Sequence, residues 1–148
     1  MIRILTTILM LTASLTIQAQ QGLAINQLFE GRIIPPTDMV ETRVRGREIA
    51  KYQLSFFHSL RFEATENEVV HIRQLIESEQ HTDQYLRSDK QSKTLTIMVQ
   101  LKPQGTTNRF TCMKVGRTNK TIQDVTVIYM EGKLHSLERL EELLHNQK

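Results

Sequence analysis

The sequence predicts an α+β protein, in which an antiparallel sheet of about four to five strands carries two helices packed on one face. Two observations support this prediction. Segments that alternate apolar and polar residues, as strands with one buried face do, recur along the chain, and two other segments place apolar residues at helical spacing. The strands occur in runs, with one helix after the second strand and another at the end, which is the order expected for helices on an antiparallel sheet.

The first 19 residues have the composition of a secretory signal peptide. Arg3 supplies a basic start, residues 4–15 are mostly apolar, and Ala19 stands at a plausible cleavage edge before Gln20. The apolar core is too short to anchor the chain in a bilayer of about 30 Å, so we expect no transmembrane span. The sequence therefore predicts a periplasmic or secreted protein after cleavage near Ala19, with residues 20–148 forming a single domain.

The mature chain begins with an N-terminal segment, residues 20–38. Leu23, Leu28 and Phe29 favour a short helix that Gly31 ends, and the prolines at 35–36 then require an extended bend. Residues 39–45 follow as a short predicted strand.

The cleanest strand pattern in the chain covers residues 54–64. Leu54, Phe56, His58, Leu60, Phe62 and Ala64 alternate with more polar residues, as expected for a strand with one buried face. A helix through Ile49, Tyr52, Phe56 and Leu60 is the competing interpretation. Residues 47–53 therefore remain open between helix and strand.

Thr65 begins the first predicted helix. Thr65 and Glu68 have the spacing of a capping box, in which each side chain accepts a hydrogen bond from a backbone N–H that the helix leaves unpaired. An apolar stripe then extends to about residue 80, formed by Val69, Ile72, Leu75 and Ile76. Residues 81–93 are polar, and we expect a long loop there.

Three more strands and a second helix complete the predicted fold. The strands cover residues 95–102, 109–115 and 125–130, and turn residues separate them. Ser136 is a suitable cap for the last helix, whose buried edge is formed by Leu137, Leu140 and Leu144, with Leu143 beside them.

Charge and cysteine content narrow the classes of function. The 148 residues include 19 Lys and Arg against 16 Asp and Glu, and cleavage of the leader with Arg3 leaves 18 against 16, a net charge of +2. That excess is small for a nucleic-acid-binding protein, so we expect no nucleic-acid partner. The single cysteine, Cys112, cannot form an internal disulfide, so the core alone must hold the domain together.

No arrangement of residues indicates catalysis, a cofactor or a metal. A nucleophilic pair of Cys112 and His58 is conceivable, but Cys112 alternates with Phe110 on an apolar strand, where a cysteine behaves as a small buried apolar residue. The five histidines are scattered, without the spacing that places ligands on one face. The sequence therefore predicts neither catalytic, cofactor-binding nor metal-binding residues.

Residues 87–120 are the most basic region of the chain. They contain eight Lys and Arg and one acidic residue, Asp89. This region supplies a candidate patch for an anion or an acidic partner, made of Lys102, Arg109, Lys114, Arg117 and Lys120. The alternative is that these charges protect an exposed sheet edge from aggregation.

Several short motifs resemble one known family. They lie at residues 19–23 and 28–32, at 45–49 leading to 52–54 and 57–60, and at 125–132 before the leucine-bearing helix. Together they resemble a family of small exported proteins of gut Bacteroidota, described only as a domain of unknown function. The resemblance implies lineage, compartment and fold rather than an activity. In that family an arginine often stands at the position of His58, which argues against a metal-binding or catalytic role for this histidine.

The sequence favours a non-enzymatic exported binding or accessory protein of the bacterial envelope, whose partner is an envelope protein or polymer of unknown identity. The alternatives are a small periplasmic hydrolase and an inhibitor of a secreted enzyme. A deep pocket with at least two convergent titratable groups would favour the hydrolase.

Overall fold

The computed structural model describes residues 22–90, 93–116 and 121–145 of the chain. The predicted leader lies outside the described residues, as do Arg117 and Lys120 of the candidate basic patch. The described elements are α1 (Asn26–Phe29), a 3-10 turn (Pro36–Asp38), β1 (Met39–Arg45), α2 (Arg47–Ala50), β2 (Leu54–Thr65), α3 (Glu66–Ser78), β3 (His81–Lys90), β4 (Thr94–Gln104), β5 (Thr107–Gly116), β6 (Ile122–Gly132) and α4 (Leu137–His145).

The described strands form one antiparallel sheet in the order β1-β2-β6-β5-β4-β3. The long strand β2 pairs with β6, so the first half of the chain joins the sheet beside its last strand. In that register His58 lies opposite Tyr129 and Phe62 lies opposite Val125. A slip by one residue would move every side chain of β2 to the other face, so burial of the alternate residues fixes the register.

The antiparallel α+β architecture is confirmed, but the sheet has six strands rather than four to five. The additional strand is β3, in the segment that we expected to be a loop. Because β3 is an end strand, it hydrogen-bonds only to β4 and most of its side chains are exposed. Its polar composition is therefore compatible with a strand. Leu86 is the residue of β3 that packs against buried apolar residues of the sheet, in the cluster that contains Met98 and Phe110.

The two longer helices pack on opposite faces of the sheet, whereas we expected both on one face. The face that we call the α3 face packs against α3 and the N-terminal segment, and it includes Ile97, Val99 and Val127. The other, the α4 face, packs against α4 and includes Met98 and Ile128. Neighbouring residues of the central strands thus point into different cores, which explains why β4 and β6 contain continuous apolar runs.

Local signals explain both ends of α3 and the position of the N-terminal segment. The predicted capping box is present, with the Glu68 backbone N–H donating to Thr65 Oγ1 (3.3 Å) and the Thr65 backbone N–H donating to Glu68 Oε1 (3.0 Å). At the other end, Glu79 Oε2 accepts a hydrogen bond of 2.7 Å from the backbone of Ala24. This bond joins the helix end to the segment that contributes Leu23, Ile25, Leu28 and Ile34 to the core.

Residues 47–53, for which the sequence allowed either helix or strand, contain the single helical turn α2 followed by a sharp corner. Gln53 adopts a positive φ of 62°, and its carbonyl oxygen accepts hydrogen bonds from the backbones of Lys133 (2.9 Å) and Leu134 (3.3 Å). The strand β2 starts directly afterwards, so the competing long helix through Phe56 and Leu60 is wrong.

The last helix, α4, begins after Ser136, whose Oγ accepts from the Arg139 backbone N–H at 3.4 Å. Its residues Leu137 and Leu140 are buried against the α4 face of the sheet. Among the described residues, no helix combines the length and apolarity needed to span a membrane.

Candidate binding site

The structure separates the two residues considered as a nucleophilic pair. Cys112 is fully buried on the α4 face, whereas His58 is buried on the α3 face. The sheet itself lies between the two side chains. Burial raises the pKa of the Cys112 thiol to about 12, so the reactive thiolate is suppressed. Cys112 is therefore a packing residue, as the alternation with Phe110 predicted.

The described members of the candidate basic patch do not gather at one place. Arg109 and Lys102 lie at one end of the β4–β5 pair, where the Arg109 guanidinium donates to the Lys102 carbonyl oxygen from Nη2 (2.8 Å) and Nε (3.1 Å). Lys114 is five residues further along β5, roughly 17 Å away at about 3.4 Å per residue. Odd and even positions of β5 face opposite sides, so Lys114 and Arg109 also point to different faces.

A cluster of one buried histidine and two exposed charged residues joins the end strand β1 to the rest of the α3 face. His58 is only 2% exposed, and its Nε2 lies 2.7 Å from Glu41 Oε1 and 3.3 Å from Arg43 Nε. The ring of Phe29 covers the imidazole at a centroid distance of 4.4 Å. Because Phe29 occupies this face of the ring, the arrangement suits a structural link between strand and N-terminal segment better than contact with a substrate.

The same cluster shifts two pKa values in the same direction. Burial lowers the pKa of His58, and the positive charges of Arg43 and Arg45 lower it further, against the opposing effect of Glu41. Burial alone would raise the pKa of Glu41, but the hydrogen bonds from His58 and Arg43 outweigh burial and lower it. In the folded protein the imidazole is thus kept neutral and the carboxylate ionised.

We predict that this cluster makes stability fall on acidification. Below pH 6.5 the unfolded chain binds a proton at residue 58 more readily than the folded protein does, so stability that is present above pH 6.5 is lost as the pH falls. The Glu41 contribution is present above pH 4.5 and is lost at still lower pH, below that ordinary value. Urea unfolding at about pH 7.5 and about pH 5.5 measures the first effect.

His58→Gln, which keeps a hydrogen-bond donor for Glu41, should reduce the difference between these two pH values. His71→Gln, at an exposed position of α3, is the matched control and should retain the wild-type difference. An unchanged difference in His58→Gln would contradict the assignment.

An apolar cavity lies between α4 and the strands β1 and β2. It has a volume of about 260 Å³. Phe57 and Met130 form its floor on the sheet, while Ile49 and Tyr52 close one end. Its complete lining is Thr42, Val44, Ile49, Tyr52, Leu54, Phe57, Met130, Leu140, Leu143 and Leu144. A cavity of about 150 Å³ lined by aliphatic side chains already holds a benzene ring, so this one has room for an apolar group.

A second cavity, of about 330 Å³, adjoins the first and has a different character. Tyr52 and Leu143 line both. The second cavity also contains the cations Lys51 and Arg139, one from the corner after α2 and one from the first turn of α4. The Lys51 Nζ lies 4.9 Å from the centre of the Tyr52 ring, which places positive charge at the boundary between the two cavities. An apolar cavity thus lies beside a cavity with two cations, and we call this second cavity the basic mouth.

Comparison with known proteins assigns the chain to a family but not to an activity. A family of unknown function (DUF6108) matches residues 12–144, which is most of the chain. The chain belongs to this family. No curated protein and no solved structure matches the sequence. The predicted resemblance to a family of unknown function is thereby confirmed at the level of the family.

For this DUF6108 member, the cavity residues were not predicted as a site, since five separate elements contribute them. Two weak signals were present in the sequence. Phe57 is a large apolar residue on the side of β2 that otherwise carries polar residues, and Leu143 lies beside the main stripe of α4. Both side chains lie in the cavity wall. Among the described residues, no group of three or more His, Cys, Asp or Glu is placed to hold a metal ion.

Proposed function

We propose that the protein is a non-enzymatic exported binding protein of the bacterial envelope, and that its ligand is a small anionic amphiphile. By this we mean a molecule with a short alkyl chain or an aromatic ring and one carboxylate. The observation that supports the proposal is the apolar cavity under α4 with Lys51 and Arg139 at the adjoining basic mouth.

The sizes and linings of the cavities fit such a ligand. Ligand pockets are mostly apolar, measure about 300–1,000 Å³, and contain a few polar groups that fix orientation. The apolar cavity alone is slightly below this range, and the two together fall within it. An alkyl chain would lie against Phe57, Met130 and Leu144 of the apolar lining.

The cations at the mouth determine the expected charge of the ligand. A carboxylate held between an ammonium and a guanidinium gains charge-assisted hydrogen bonds, which are stronger than those between neutral groups. Lys51 belongs to the turn after α2 and Arg139 to α4, and both residues line the second cavity. The pair would therefore recognise an anion whose apolar part is already buried.

The basic mouth and the apolar lining support binding rather than hydrolysis. Hydrolysis requires a nucleophile or an activated water beside a general base, and the apolar cavity is lined by aliphatic and aromatic side chains apart from Thr42. Export to the periplasm rests on the basic and apolar pattern of residues 1–19, and cleavage near Ala19 would release the binding domain.

Isothermal titration calorimetry with octanoate tests the proposal, with octanol as the uncharged comparison. We expect saturable binding of octanoate by the wild-type protein, and binding weaker by about tenfold or more in Lys51→Glu/Arg139→Glu, which corresponds to about 1.4 kcal/mol. Octanol should bind both proteins equally. Lys102→Glu, an exposed charge reversal at a residue that lines neither cavity, is the matched control and should bind octanoate as the wild type does.

A second variant tests the apolar part separately. Val44→Phe adds volume to the cavity wall and should prevent binding of both octanoate and octanol, while circular dichroism confirms the fold. Absence of binding by the wild-type protein for octanoate and for benzoate would overturn the proposal.

A further inference from the structure

An open groove of about 590 Å³ lies where β1 begins beside β2. Its lining includes Phe62 and Ala64 of the α3 face as well as Val40, Arg61, Glu63 and Asp124 of the α4 face. It lies at the opposite ends of β1, β2 and β6 from the apolar cavity, and none of its lining residues belongs to that cavity. Four carboxylates and one guanidinium line it. The acids are Asp38, Glu63, Glu68 and Asp124, and the base is Arg61.

Two of these carboxylates face each other directly across the sheet. Glu63 on β2 is the register partner of Asp124 on β6, and both side chains are exposed. Like charges at directly opposite positions of an antiparallel pair reduce stability, because the two Cβ atoms are only about 4.5–5.5 Å apart. Neither carboxylate forms an ion pair or hydrogen bond with any residue that the structure describes. A cationic group placed between the two carboxylates would therefore be attracted by both.

Exposed apolar side chains lie on both sides of this acidic row. Val40 is 67% exposed and Ile122 is 47% exposed, two of the three large apolar residues that the described surface leaves open. Val40 on β1 is opposite Arg61, which lies two positions before Glu63 on β2. Ile122 lies two positions before Asp124 on β6, which runs antiparallel to β2. Along the groove, Val40 thus lies beside Arg61, the acidic pair follows two residues further along β2, and Ile122 lies beside Thr65 after another two residues, at steps of about 7 Å.

We propose that this groove is a docking surface for an extended segment of a partner protein, in which one Lys or Arg is flanked at the second position on each side by an apolar residue. In an extended chain alternate side chains point the same way at a repeat of about 7 Å. That repeat matches the steps along the groove. The cationic side chain would lie between Glu63 and Asp124, and the flanking side chains would cover Val40 and Ile122.

Charge complementarity favours a polypeptide cation over the other occupants of an apolar groove. Asp38 extends the acidic row on the β1 side, whereas Glu68 is already used by the capping box with Thr65. In a two-fold symmetric dimer formed through this groove, a second copy would bring an identical acidic groove to the same place and would be repelled. A free metal ion would satisfy the carboxylates but would leave Val40 and Ile122 exposed.

An NMR titration with short synthetic peptides tests the inference. The probe peptide has one lysine, valine or isoleucine two positions to each side, and threonine elsewhere; one control peptide has glutamate for the lysine, and another has serine for the apolar pair. We expect shifts of the backbone amides near Val40, Glu63 and Asp124 with the probe peptide alone. The shifts should weaken as salt increases, because exposed charges are screened within about 8 Å at physiological ionic strength.

The decisive variant is Glu63→Gln/Asp124→Asn. We expect its affinity for the probe peptide to fall about tenfold or more, while its melting temperature rises because the opposed charges are gone. Glu66→Gln/Glu138→Gln, which neutralises two exposed acids outside the groove, is the matched control and should bind as the wild type does.

Two outcomes would overturn the inference. One is equal binding of the probe and glutamate peptides, and the other is saturable calcium binding by the wild type without any peptide binding. Octanoate binding should be unchanged in Glu63→Gln/Asp124→Asn, so failure of the groove assignment can be distinguished from failure of the proposed function.

Discussion

Replacing Phe62 with alanine should lower the free energy of unfolding by about 3–5 kcal/mol, because the truncation leaves a large cavity in the core between the sheet and α3. Phe62 is buried on the α3 face beside the helix residues Val69 and Ile72. Domains of this size are stable by only about 5–15 kcal/mol, so the variant loses a large share of its stability. Urea unfolding monitored by circular dichroism measures the change.

Phe57→Ala provides the comparison on the same strand. Phe57 is half-buried on the α4 face, where it lines the ligand cavity rather than the close-packed core. We expect its truncation to cost less than about 3 kcal/mol and to reduce octanoate binding, whereas Phe62→Ala should leave the cavity lining intact. Equal destabilisation by both substitutions would contradict the assignment of the two residues to differently packed faces.

Gly132→Ala should destabilise the fold by about 3 kcal/mol, at the upper end of the usual cost of overpacking. A Cβ atom at this position would lie 2.2 Å from the carbonyl oxygen of Gln53 and 2.7 Å from the Cα of Leu54. Both neighbours are backbone atoms, so no side-chain rotation can relieve the clash. The same Gln53 oxygen accepts the hydrogen bonds from Lys133 and Leu134, so a shift there would also disturb the approach to α4. Thermal and urea unfolding measure the loss.

Gly116→Ala is the matched control, at the opposite end of the β5–β6 pair. A Cβ atom there would meet Asp124 at 3.8 Å, an ordinary van der Waals contact. We expect a stability equal to or slightly above that of the wild type, because alanine has less conformational freedom to lose on folding. Similar losses in Gly116→Ala and Gly132→Ala would show that the close approach at Gln53 is not the cause.

The elements with strong local signals were predicted correctly. The capping box at Thr65 and Glu68 defines the start of α3, and the period-two pattern of β2 correctly predicts burial of Phe56, Leu60 and Phe62. In both cases the interactions join residues close in sequence, or depend only on which side of a strand is apolar. Burial of Cys112 follows from the same alternation.

The errors lie where the partner of an element decides its structure. β3 is too polar to be recognised as a strand, and its pairing with β4 is what holds it in the sheet. The face on which α4 packs depends on the chain reversal after β6 and on apolar residues of several strands, so its own leucine stripe cannot show it.

Composition and short-range periodicity were sufficient to predict the α+β class, the absence of an internal disulfide and the two amphipathic helices, because these properties depend on residue content and local spacing. Both candidate binding surfaces, by contrast, form only when distant parts of the chain come together. The cavity joins Val44, Phe57 and Leu143 from three elements with Tyr52 from the turn after α2, and the groove exists because the β2–β6 register places Glu63 opposite Asp124. Contacts between residues far apart in sequence are set by strand order and register, and no local pattern records them.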